Sequence, residues 1–119
     1  MVGPEDYGMV VRKAEGIVII EFTEVRILDQ LQIERIKDYV LKLAHAAGQP
    51  KMIMSFQGVA SISSAVIGVV IALNKACVEK QGELRLAGLS SDILTVFKLT
   101  RLDKLVKIYR TTEEAQVKF

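Results

Sequence analysis

The chain has little of what most specialised chemistries require. Its 119 residues include one cysteine, Cys77, and one histidine, His45. A lone cysteine closes no internal disulfide, so a reducing compartment, the cytoplasm, is the expected setting. A lone histidine with no Cys, Asp or second His at ligand spacing argues against a metal site. With two prolines and no low-complexity tract, no linker is evident, and residues 1–119 read as a single domain. The longest uninterrupted apolar run, Ala65 to Leu73, is far below the ~20 residues that span a bilayer, so no membrane insertion is expected. The N-terminal "MVGPEDYG" carries acid where a secretory leader carries base. Although the net charge is +2, Lys and Arg form no stripe, which removes the usual footprint of nucleic-acid binding. Neither "AEG" nor "AGLSS" has the pattern of a phosphate-cradling glycine loop. No acid, base and nucleophile set suggests itself, so the chain is read as a non-enzyme without a cofactor.

What is present is a core. Half of the residues are hydrophobic, enough for a chain of this size to hide roughly two-thirds of its unfolded surface. Met9 to Lys13 and Ile17 to Phe22 are β-rich and flank "AEG", the signature of a hairpin. "LDQLQIERIKDYVLKLAHAAG" has helical periodicity, with Ile33, Ile36, Val40, Leu43 and Ala47 expected on one face. Asp29 is its N-cap, and Gly48 and Pro50 close it. "KMIMSF" is a short apolar run expected to form a strand buried on both faces. A second helix starts near Ser64, continues through "NKACVEKQG" and stops at Gly82. "ELRLAG" alternates like a strand. "SSDILTVFKL" is a third helix with Ser90 as N-cap and Asp92 in the favourable first turn. "LVKIY" is a last strand, and Thr111 to Glu114 form a capping box. The order β-β-α-β-α-β-α-β-α predicts an α/β fold: a mixed sheet of four to five strands covered by about four helices. Right-handed crossovers put "KMIMSF" at its centre. The strand-to-helix junctions then gather at one end of the sheet, where open α/β sheets receive partners.

One of these junctions, "SISSAVIG" at 61–68, sets serines against the start of an almost wholly apolar helix. Ser63 and Ser64 both sit where an N-cap belongs, and that is the plainest reading. The same geometry would also suit a switch. The first turn of a helix leaves amide N–H groups free and carries about half a positive charge, and a phosphate there would add about −1.5 to −2 charges. Spacing alone leaves both readings open. Elsewhere His45 falls where a helix C-terminus favours its charged form, and Cys77 reads as a small buried hydrophobe.

Three stretches, "SFQGVASISSAVIGVV", "GELRLAGLSSDILTVFKLTRLDKL" and Leu28–Asp29, together resemble the STAS-domain anti-sigma factor antagonists. The family pattern around the phosphorylated serine runs approximately "DLSGVxFIDSSGLGVL". Gly58, Val59, Ile62, Ser64, Gly68 and Val69 fall on matching positions without a gap. The resemblance implies a binding module that docks an anti-sigma factor of the serine-kinase type and is released when Ser64, or less favourably Ser63, is phosphorylated. Its docking surface would comprise Glu24 and Ile27, then Gly58, Ser61, Ser63, Ser64 and Val66, and finally Ser90 and Ser91. The sequence also departs from the pattern. Ser63 replaces the family aspartate before the acceptor, Ser55 replaces an acidic residue ending the third strand, Ala65 replaces Ser or Thr, and Val66 replaces a glycine. These departures favour an alternative: a STAS scaffold that is never phosphorylated, working in a transporter-associated or signalling complex. A hydrolase or transferase using Ser64 as nucleophile is disfavoured, because the sequence shows no base for it.

Overall fold

A computed structural model describes residues 3–119. A 3₁₀ turn at Pro4–Tyr7 leads into β1 (Met9–Ala14) and β2 (Ile17–Phe22), which pair antiparallel. Ala14 pairs with Ile17, so the hairpin loop is only Glu15–Gly16. Both residues have positive φ, 54° and 81°, the type I′ conformation whose twist matches the strands. The chain continues through β3 (Arg26–Ile27), α1 (Gln30–Ala46), β4 (Lys51–Ser55), β5 (Ser61–Ile62) and α2 (Ser64–Glu79). It ends with β6 (Glu83–Ala87), α3 (Ser91–Leu99), a 3₁₀ turn at Leu102–Lys104, β7 (Lys107–Tyr109) and α4 (Thr112–Gln116). The main sheet has five strands in the order β1-β2-β4-β6-β7, with "KMIMSF" central and every pair after the hairpin parallel. The mixed sheet and four helices follow the α/β expectation. The two-residue strands β3 and β5, which form a separate parallel sheet, were not anticipated.

Each parallel step moves one strand in the same direction, so right-handed crossovers put α1, α2 and α3 on one face. Met52, Met54 and Phe56 from the β4 segment meet Ile36 and Val40 of α1, Val70 and Leu73 of α2, and Phe97 of α3 in one core. On α1 the buried stripe is Ile33, Ile36, Val40 and Ala44. Leu43 is only half-buried and Ala47 is the C-cap, because steps of three and four residues carry the stripe to 44 rather than 43. Asp29 caps α1 as expected, its carboxylate accepting from the Gln32 amide at 2.8 Å. The carbonyls of His45 and Ala47 at its other end accept from Lys80 Nζ. The α2 helix ends at Glu79, three residues before the expected stop at Gly82. Gln81 takes φ 60°, and the Gly82 amide donates back to Cys77 O at 2.8 Å. A Cβ on Gly82 would stand 2.0 Å from the Pro50 carbonyl oxygen, so glycine is required by that close approach.

The opposite sheet face is covered differently. Ile17, Ile19, Ile53 and Ala87 form its apolar strip, which α4 covers through Ala115. Beside it lies Arg85, only 4% exposed. Its guanidinium donates to the carbonyls of Ala115, Val117 and Lys118 at 2.8, 2.9 and 3.0 Å and pairs with Glu83 at 2.9 Å. The Phe119 ring stacks over it, with its centroid 4.1 Å from Cζ. The cation thus satisfies the carbonyls that a short helix leaves orphaned at its C-terminus. The alternation of "ELRLAG" gave no sign that this residue is interior.

Two predictions follow from this packing. Arg85→Met keeps the aliphatic stem but strands three carbonyls, one buried and two partly buried, and the Glu83 carboxylate. Urea unfolding should show a loss of about 3 kcal/mol, with amide exchange accelerating first in residues 111–119. Cys77 is fully buried, and burial raises its thiol from 9.0 to about 11. The folded state therefore keeps this proton when the unfolded chain has lost it. The resulting stability is complete below pH about 9 and is lost as the pH rises toward about 11. Stability profiles of the wild type should fall more steeply across that window than those of Cys77→Ala.

Candidate functional site

The C-terminal ends of the parallel strands are tied into one rim. The Phe56 amide donates to Ala87 O at 2.9 Å and the Gly88 amide to Tyr109 O at 3.2 Å. Gly58 turns the chain with φ 84°. The backbone then crosses to the β2–α1 loop, where the amides of Ala60 and Ser61 donate to Val25 O at 2.7 and 3.3 Å. Two parallel register pairs follow, Arg26 with Ser61 and Ile27 with Ile62, and the Ser63 amide closes the strap on Ile27 O at 3.0 Å. The start of α2 is therefore held by backbone bonds on a loop more than thirty residues earlier in the chain. A shallow cleft of about 400 Å³ runs from Gly58 and Ala60 to Gly88 and Ser90, joining two of the expected docking segments.

The two serines at the start of α2 have different environments. Ser63 is the N-cap: its Oγ accepts from the Ala65 amide at 3.2 Å and its carbonyl from the Val66 amide at 3.0 Å. Ser64 is the first helical residue, exposed, and its hydroxyl has no hydrogen-bond partner among the described residues. The plain cap and the free hydroxyl are thus separate residues. Ser90 repeats the capping arrangement on α3, accepting from the Ile93 amide at 3.3 Å, while Ser91 is exposed. Ser61 is half-buried in the strap. Glu24 is exposed, yet its carboxylate accepts from Gln32 Nε2, which also donates to Tyr7 O at 2.9 Å.

Two expected docking residues need correction. Ile27 is 1% exposed and Val66 4%, and both pack into the main core. Ile27 points inward because it pairs with Ile62 in the strap. Val66 falls on the stripe that continues through Val69, Val70 and Leu73. Neither side chain can face a partner, so Val66 adds no bulk to the docking edge. The exposed apolar residues of this region are instead Val25 and Leu28 on the loop, Leu31 in the first turn of α1, and Ile71 one turn beyond Gly68 on the outer face of α2. For Val25 and Leu28, the interruption of a polar loop was the available signal. Ser55 is also buried, its Oγ facing the Gln57 amide at 3.4 Å, so the position where the family carries acid lies beneath the rim. Among the described residues, no group of three His, Cys, Asp or Glu could hold a metal ion, and no helix is long and apolar enough to cross a membrane.

The sequence profile of the STAS domain matches residues 8–115, and the chain belongs to that family. TM1081 from Thermotoga maritima, assigned to the anti-sigma factor antagonists, is 26% identical over 90% of each chain, with a TM-score of 0.78. An anti-sigma-factor antagonist (STAS) domain protein from Planctomyces limnophilus is 23% identical, covering 90% of this chain and 93% of its own, with a TM-score of 0.80. The Bacillus cell fate determinant SpoIIAA in its phosphorylated form is 18% identical over 90% and 95% of the chains, with a TM-score of 0.70. At these identities the last two show the shared fold.

The division between the serines has a measurable consequence. Ser63→Ala should cost about 1 kcal/mol in chemical unfolding, the worth of a helix cap. Ser64→Ala should stay within about 0.5 kcal/mol of the wild type.

Proposed function

We propose, from this membership of the STAS family, that the chain is an anti-sigma factor antagonist. It binds an anti-sigma factor of the serine-kinase type and is released when that kinase phosphorylates Ser64. The observation that carries the reading is the unoccupied, exposed hydroxyl of Ser64 at the first position of α2, beside a serine that already supplies the cap. The likeness to TM1081 and to SpoIIAA, for which a phosphorylated form exists, supports it. The docking surface would combine the exposed Val25 and Leu28 of the loop, Gly58 in the cleft, Ser64 at its centre, and Ser91 at the start of α3.

The energetics are adequate. A standard interface buries about 1,600 Å². A dianion trapped within one, unless paired, costs several kcal/mol, and each ~1.4 kcal/mol is tenfold in affinity. In the free protein the same phosphate sits at the positive end of α2, where it is tolerated at little cost. Phosphorylation thus acts on the complex and spares the fold. Ser63 is the lesser acceptor, because its Oγ would first have to leave the Ala65 amide.

Incubation with a serine-kinase anti-sigma factor and ATP should add one phosphoryl group, mapped by mass spectrometry to Ser64 and absent in Ser64→Ala. Ser64→Glu should weaken binding to that anti-sigma factor at least tenfold, while Ser64→Ala binds as tightly as the wild type. No label on Ser64, together with unchanged affinity of Ser64→Glu, would instead make the chain an unphosphorylated STAS scaffold.

A further inference from the structure

Beyond the rim, the corner formed by the end of α3, the Leu102–Lys104 turn and β7 carries features that the Ser64 switch does not use. A groove of about 360 Å³ opens between α3 and β7. Leu89, Leu94 and Ile108 wall it, all half-buried rather than sealed, with Tyr109 beside them. Lys98 and Arg110 stand on its border. Leu99 and Leu105, at 79% and 60% exposure, project from the same corner. Lys98, Arg101 and Lys104 are exposed, and none has an acidic side chain within ion-pair reach among the described residues. Among the described residues Arg110 meets only Glu114, at 3.6 Å on the surface, a pair of little worth. Asp103 also lines the groove, and its Oδ1 is buried without a hydrogen-bond partner among the described residues, a costly state for an acceptor.

We propose that this groove docks an acidic, amphipathic segment of a partner protein. An apolar side chain of the segment seats between Leu89, Leu94 and Ile108, and its carboxylates meet Lys98 and Arg110. Charge complementarity fixes the sign of the partner, and the concavity fixes its kind. A socket sized for one or two apolar side chains suits a peptide anchor, whereas a bilayer surface calls for a flat or convex basic face. The groove contains no residue of 57–66, although it meets the cleft at Leu89 and Arg110. Its occupant can therefore bind whether or not Ser64 is phosphorylated, and the two proposals fail separately.

The test uses a synthetic fluorescein-labelled helical peptide with leucines on one face and glutamates on the other, titrated by anisotropy and mapped by amide chemical shifts. Saturable binding is expected, with shifts gathered in residues 89–110. Lys98→Glu combined with Arg110→Glu, both at exposed positions, should weaken binding about tenfold or more, and added salt should weaken it further. Replacing the leucines by serine should abolish binding. Shifts gathered elsewhere, indifference to the charge reversals, or equal binding of a lysine-for-glutamate peptide would overturn the proposal. So would sedimentation of the protein with phosphatidylserine vesicles in the absence of peptide binding, which would make the basic corner a membrane-facing surface.

Discussion

Everything at the functional rim depends on β4 lying between two parallel neighbours. Met52, Ile53, Met54 and Ser55 pair in register with β2 on one side and β6 on the other. Parallel pairing requires each connection to cross back over the sheet, so the chain leaves β2, β4, β6 and β7 at the same end. The loops carrying Val25, Gly58 and Ser90 therefore meet without any side chain having to recruit them. The backbone strap of 25–27 on 60–63 then fixes their spacing.

The two faces of the sheet are closed by different physics. On one face, three helices bury a continuous apolar layer. On the other, one short helix contributes a single buried alanine, and a buried guanidinium holds its trailing carbonyls. Such a cation is stable only when every donor finds a partner. Arg85 meets that condition through Glu83, three carbonyls and two aromatic rings. Ser64 lies at the other layer of the fold, on α2, so docking at its edge would leave this face undisturbed.

How much of this was legible in the sequence depended on the range of the interaction. Caps act within one turn, and Asp29, Ser90 and Thr111 each hold the amide their position implies. Period and length placed the hairpin, the central strand and the helices. The strap between β3 and β5 escaped notice because two residues are too few to show alternation, and its bonds involve only main-chain groups. Arg85 was illegible for the opposite reason. Period-two reading puts it opposite Leu84 and Leu86, a face that looks solvated until α4 arrives from thirty residues downstream. Ile27 and Val66 were misplaced because proximity in sequence to a rim says nothing about which way a side chain points.

The serine pair divides the capping bond from the free hydroxyl. A helix start needs one acceptor for its free amides, and Ser63 supplies it from just outside the helix. Its neighbour begins the helix proper, exposed, with a hydroxyl that holds no hydrogen bond among the described residues. A single serine filling both roles would couple them: modification would remove the cap as it added the charge, and the free protein would lose stability together with its partner. With two, a phosphate on Ser64 would enter at a site where the helix dipole is favourable and would break no internal hydrogen bond among the described residues. Under the proposed function the cost of the dianion would then fall on the interface, which is the state a partner switch has to penalise.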